Sequence, residues 1–322
     1  MIYFKLPFDE RLLTTDEKNT KNAVHFFSYN GQDQISFSGD IIEAEPSDFS
    51  LNPITNEDLI KDLTNSTTET KEEYCATLQE VIKVIKENNL PKLVYSRRKI
   101  FTDFTVIDYK ESFKNLCDSY PNAFRYLFNK GQNAWMGAFS EVLGKFNKTT
   151  NEFETMALAG TLPVSEEWSE KEIEEQKPVS TYIQNILKNY SNNVQQSETY
   201  DHISGNIKHL RTDFKTSIKP EDLDSIIRDL HPTPAVCGIP KDFCNENIRK
   251  YEKFPREFYA GYIKVETEES IFYFVNLRCA RLYKDDVHIF VGGGITAQSN
   301  PEKEWRETEL KSEAILKNLV IL

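Results

Sequence analysis

Three strand-like runs follow one another late in the chain, at residues 258–265, 271–283 and 287–292. Before them lies a clear amphipathic helix over 221–230, with Leu223, Ile226, Ile227 and Leu230 at i, i+3, i+4 and i+7. After them a final helix runs to about residue 318, opened by Asn300-Pro301 as an N-cap with proline at the first helical position. Long strands mixed with helices, without strict βαβ alternation, point to an α+β fold. Gly292-Gly293-Gly294 is expected to break the last strand, and His231-Pro232-Thr233-Pro234 to stop the amphipathic helix.

The earlier chain is uneven. Residues 1–61 carry weak, mixed signals, with short alternating stretches such as Val24-His25-Phe26-Phe27-Ser28-Tyr29. Asn65-Ser66-Thr67-Thr68-Glu69-Thr70 reads as a linker, so 1–70 is set apart from 71–322. Residues 71–88 place Leu78, Val81, Ile82 and Ile85 at helical spacing, Pro91 ends that helix, and Lys92-Leu93-Val94-Tyr95-Ser96 reads as a buried strand. A long helix over 169–188 starts with Ser169-x-x-Glu172, a capping box.

A net charge of −12 repels nucleic-acid phosphates and anionic membranes, so neither is an expected partner. An anionic substrate would need a cation or a local cluster of Lys and Arg. No run of eighteen apolar residues exists, and the start of the chain does not read as a signal peptide. Five scattered cysteines without metal-ligand spacing read as reduced thiols of a cytoplasmic protein. A monomer is the default expectation.

Several residues stand out as carriers of chemistry. Glu304, Glu307 and Lys311 share one helix face at i, i+3 and i+7, after a triple glycine whose amides can approach an anion. Most such faces are merely solvated. Glu172 and Glu175 form a second pair; the capping box already occupies Glu172, whereas Glu175 has no such explanation. Two helices offering carboxylates suit magnesium, a hard cation that prefers oxygen. Lys92 is either a strand-end lysine in water or a desolvated base. Glu141, after the apolar run Trp135 to Ser140, is either a boundary residue or an acid kept protonated by its surroundings. Arg278 interrupts Phe272 to Leu277 and needs an anion, either a substrate carboxylate or an internal Asp or Glu. His209 fits a pocket or a core equally well.

Ten segments in one order resemble the chorismate-utilising enzymes, which include isochorismate, salicylate, anthranilate and aminodeoxychorismate synthases. They begin with Lys92-Leu93-Val94-Tyr95-Ser96-Arg97, Gly137-Ala138-Phe139-Ser140-Glu141 and Ala157-Leu158-Ala159-Gly160-Thr161. Lys171 to Gln176, Lys208-His209-Leu210 and Leu230 to Gly238 follow. Arg256 to Gly261, Val275-Asn276-Leu277-Arg278, Gly292-Gly293-Gly294-Ile295 and Glu304 to Lys311 complete the order. The resemblance covers residues 92–311 and fits the first 70 poorly, where the chain looks shortened. It implies one α+β catalytic domain of two layered β-sheets flanked by helices, with the site in a cleft.

It also implies roles. Lys92 would be the base and Glu141 the acid. His209, Tyr259, Arg278, Gly292, Gly293, Lys311, Ala159, Gly160 and Thr161 would meet chorismate. Glu175 and Glu307 would bind Mg2+, with Glu172 and Glu304 nearby. The ammonia-using branches lack the first-motif lysine, and aminodeoxychorismate synthases carry a lysine where Ala159 stands, so no glutamine amidotransferase partner is expected. Ala235 resembles the isochorismate synthase pattern; salicylate synthases, the alternative, tend to have Thr there. Isochorismate feeds menaquinone and catecholate siderophore synthesis. One departure is that Phe139-Ser140 precedes Glu141 where the resemblance leads one to expect a proline.

Overall fold

The structure, a computed structural model, describes residues 1–45, 68–102, 106–204, 207–284 and 286–322, apart from the side chains of Lys171, Glu175 and Ser204. Residues 65–67 of the expected linker lie outside the described residues. Two nine-stranded antiparallel sheets dominate. The first runs in the order Gly238–Ile239, Lys92–Phe101, Val287–Ile295, Cys279–Leu282, Asn133–Phe139, Phe124–Lys130, Ile2–Lys5, Leu13–Thr15 and Ile41–Glu43. The second runs Gln195–Gln196, Ile207–Ser217, Glu152–Pro163, Val142–Asn147, Ser270–Val275, Tyr262–Glu266, Asn22–Phe27 and Gln34–Ser38, with Tyr200–Ser204 pairing on Ile207–Ser217. This is the α+β architecture of layered sheets and flanking helices expected from the sequence.

The sheets pack face to face over an aromatic core. Phe124 stacks on Phe274 with ring centroids 4.6 Å apart, and Phe26 meets Phe128 at 4.6 Å. Each such side chain, fully buried, contributes roughly 1.5–3 kcal/mol. Leu78, Val81, Ile82 and Ile85 line the buried face of helix Lys71–Glu87, as their spacing predicts. Thr70 caps that helix, exchanging hydrogen bonds with Glu73, at the boundary expected there. The first 45 residues complete both sheets: Ile2–Lys5 pairs with Phe124–Lys130, and Asn22–Phe27 with Tyr262–Glu266.

Three strand expectations need correction. The run 258–265 pairs only from Tyr262, because Glu257 and Ala260 turn with φ of +52° and +57°. The run 271–283 breaks at Asn276-Leu277-Arg278, where Arg278 has φ of +44°. Conversely, the triple glycine does not break its strand. Gly292, Gly293 and Gly294 stand opposite Ser96, Tyr95 and Val94 in an unbroken ladder.

The first two of these findings, with a neighbouring turn, locate the site. Adjacent strands Asn133–Phe139 and Cys279–Leu282 leave the first sheet together and become adjacent strands Val142–Asn147 and Ser270–Val275 of the second. Ser140-Glu141 makes one crossing and Asn276-Leu277-Arg278 the other. The crossings are stitched: Ala138 N–H donates to Arg278 O at 3.2 Å, and Val275 N–H to Glu141 O at 3.1 Å.

Candidate active site

A cavity of about 490 Å³ opens beside the two crossings. Lys92, Glu141, Ala159, Gly160, Thr161, Glu172, His209, Tyr259, Arg278, Gly292, Gly293, Glu304, Glu307 and Lys311 all line it. Glu175, also expected at the site, lies in helix Glu170–Lys188, and its side chain is outside the described part.

Lys92, at the start of its strand, and Glu141, in the crossing, both line the cavity, and each is 5% exposed. Burial pushes the Glu141 carboxyl up to about 7, against the nearby Lys92 charge, which pulls it down. Lys92 is the first residue of its strand, and its backbone is pressed into place from behind. Gly238 pairs with Leu93, and Cys244 Sγ lies 3.6 Å from Lys92 O. Gly238 has φ of +121°, and a Cβ there would lie 2.5 Å from Lys92 O.

Arg278 reaches the cavity from the second crossing. Its Nη2 lies 3.3 Å from His209 Nε2, and its guanidinium sits over the Tyr120 ring at 5.7 Å. His209 Nδ1 lies 2.9 Å from Gly160 O, which can only accept, so Nδ1 carries the proton and Nε2 accepts from Arg278. Burial, then the Arg278 charge, holds His209 down to about 3. The imidazole is therefore neutral and aims the guanidinium. Thr161 Oγ1, 3.3 Å from Nδ1, completes this corner. His209, left open between pocket and core, belongs to the pocket.

The carboxylate end is built differently. Helix Pro301–Leu316 is capped by Asn300, whose side chain accepts from Lys303 N–H at 3.1 Å. Its carboxylates descend on a bare α-carbon: the point a Cβ on Gly293 would occupy is 3.3 Å from Glu304 Oε2 and 4.0 Å from Glu307 Oε1. Ser299 Oγ donates to Glu304 Oε1 at 2.7 Å. Lys311 Nζ lies 2.7 Å from Glu307 Oε1 and donates to Gly292 O at 2.9 Å. Glu172 accepts from Ser169 N–H at 3.1 Å and from the Ser169 hydroxyl, so it makes the expected cap while lining the cavity. Among the described residues, no three His, Cys, Asp or Glu side chains form a metal-ligating group.

The ladder also decides which glycine amides face inward. Ser96 N–H donates to Glu252 at 2.8 Å, and Val94 N–H to Cys237 O at 2.9 Å, so both turn away from the glycine strand. Gly292 and Gly294, directly opposite, are then non-hydrogen-bonded pairs whose peptide groups point to the far side. There the next strand has already stopped, at Cys279 opposite Phe290. Gly292 and Gly294 thus open toward the cavity, and Gly293 offers its bare α-carbon rather than its amide. Tyr259, stacked on Phe290 at 5.9 Å, stands next to Gly292, and burial raises its phenol well above the ordinary value.

One neighbour was not visible in the sequence. His202 Nε2 lies 3.2 Å from Ser140 Oγ, at the crossing that lacks the expected proline. Its strand partner is His209. Only the pairing of 200–204 on 207–211, a long-range fact for Ser140, could have exposed it.

Comparison with known proteins follows the same lines. The family model described as chorismate binding enzyme matches residues 4–320. Isochorismate synthase MenF of Escherichia coli (strain K12) is 29% identical over 205 residues, covering 58% of this chain and 46% of that protein. Isochorismate synthase MenF of Haemophilus influenzae is 26% identical over 262 residues, covering 76% and 59%. The chain thus matches about half the length of these curated relatives. The solved structure of MenF, the menaquinone-specific isochorismate synthase from Escherichia coli, superposes with a TM-score of 0.79 at 18% identity, covering 98% of this chain and 88% of that one. Among the described residues no helix is long and apolar enough to cross a membrane.

Proposed function

Because the chain belongs to the chorismate binding enzyme family, we propose that it converts chorismate to isochorismate, the activity named for the two MenF relatives. The observation that carries this reading is the buried Glu141, held near 7 beside Lys92 in one cavity with Arg278 and Lys311. An allylic exchange of hydroxyl groups needs a base and an acid acting on the same small ring.

The amine of Lys92 takes a proton from water as that water attacks C2. The ring double bonds shift, and the C4 hydroxyl departs. Glu141 gives that leaving group its proton, because bare hydroxide departs poorly. Each transfer is typically worth 10²–10⁴-fold. Arg278, aimed by His209, and the Gly292 peptide with Tyr259 would receive the enolpyruvyl carboxylate.

Magnesium is the cofactor this reading takes. Glu304 and Glu307 converge on the α-carbon of Gly293, a cradle that any Cβ would narrow, and their oxygens suit a hard cation that keeps waters and substrate ligands. Glu307 and Glu175 would hold the ion, with Glu304 and Glu172 beside it. When bound, it would neutralise and orient the ring carboxylate. Lys311, already paired with Glu307, would share that charge balance.

The test is direct. Purified protein with chorismate and Mg2+ should yield isochorismate on chromatography. Unchanged chorismate, or salicylate fluorescence as the end product, would overturn the proposal.

A further inference from the structure

His202 stands outside every role assigned so far, yet its side chain reaches the residue before Glu141. We propose that His202 is a positioning residue: through its hydrogen bond to Ser140 it fixes the crossing that presents the Glu141 carboxyl. This rests on the proposed acid role of Glu141.

Three observations carry it. The crossing between sheets is two residues long, and the Ser140 hydroxyl meets His202 Nε2 at 3.2 Å. The strand bearing His202 is anchored on both sides of it. Trp168 Nε1–H donates to Asp201 Oδ1 at 2.6 Å, Lys208 Nζ lies 3.2 Å from Asp201 Oδ2, and Asn122 donates to Ile203 O at 3.1 Å. His202 is also directly opposite His209, which aims Arg278. One short strand therefore steadies both crossings, one through Ser140 and the other through its paired histidine. Burial, then the Arg211 and Arg278 charges, lowers the His202 titration, while Asp213 opposes them, so the ring acts as a neutral hydrogen-bonding group. The charged and titratable groups near Glu141 itself are Lys92 and Tyr259.

Removing the ring frees Ser140 and admits water beside Glu141. Infrared titration of the Glu141 carboxyl, isolated by subtracting the Glu141→Gln spectrum, reads this without turnover. The midpoint should sit near 7 in the wild type, fall toward the ordinary carboxylate range in His202→Ala, and return in His202→Gln, whose amide can still reach Ser140. In the assay, His202→Ala and Ser140→Ala should each lower kcat about 10-fold, within the ~10²-fold cost of a 1 Å misplacement, with KM little changed. The double variant should be no worse than either single one. An unchanged midpoint in His202→Ala, or additive losses, would overturn the inference. If the wild type fails to turn over chorismate, the proposed function fails, and the infrared midpoint still decides the role of His202.

Discussion

The two ends of the cavity are made by opposite means. At the Lys92–Glu141 end, backbone crossings and ladder pairing bury two ionisable side chains, and burial raises the Glu141 carboxyl. At the Glu304–Glu307 end, a capped helix lowers charge onto a glycine strand and balances part of it with Lys311. On the proposed function, the contrast is a division of labour. Proton transfer at neutral pH wants a desolvated acid, whereas holding an anion in an acidic protein wants concentrated, compensated charge.

The sharpest way to break this contrast is to remove the desolvated pair. Glu141→Gln and Lys92→Ala should each lower kcat by 10²–10⁴-fold or more while chorismate binding, measured by calorimetry, persists. Loss of binding in both would mean the two ends are not separable. Next in size is Gly238→Ala. With φ of +121° and a Cβ 2.5 Å from Lys92 O, the variant should lose roughly 3 kcal/mol or more in urea denaturation, and turnover with it.

The pH dependence of stability separates the ends further. Glu141 is raised in the folded protein, so the folded state binds the proton more tightly than the unfolded chain. Its contribution is fully present below about 4.5 and is lost as pH rises through about 7, a loss of roughly 3 kcal/mol at 1.36 kcal/mol per pH unit. Glu141→Gln should flatten that part of the profile, while changes at the carboxylate helix should leave it in place. Activity, which needs the protonated acid, should fall with a midpoint near 7 on the alkaline side. The smallest effect is Asn300→Ala, which removes the cap of the carboxylate helix and should lower the melting temperature by an amount equivalent to about 1 kcal/mol. It should weaken Mg2+ binding more than it alters the pH midpoint.

The lining of the cavity was largely legible in the sequence, because it is carried by side chains at fixed places in short segments. Lys92, Glu141, His209, Arg278, Glu304 and Glu307 were named there, and all line one cavity. What was not legible is backbone geometry under tertiary control. The apolar run before Arg278 hides its left-handed residue. The triple glycine reads as a breaker by propensity, yet a paired strand holds it extended so that a helix can settle on it. The Ser140–His202 contact spans sixty-two residues and leaves no local trace.

The stitched crossings have a consequence for how the molecule breathes. Glu141 and Arg278 belong to strands that run from one sheet into the other, so neither can leave its place by local fraying. Freeing them requires both ladders to open together, which puts Glu141 and Arg278 in the same cooperative unit as the core. The Val275 amide, bonded to Glu141 O, should then exchange its hydrogen among the slowest in the protein.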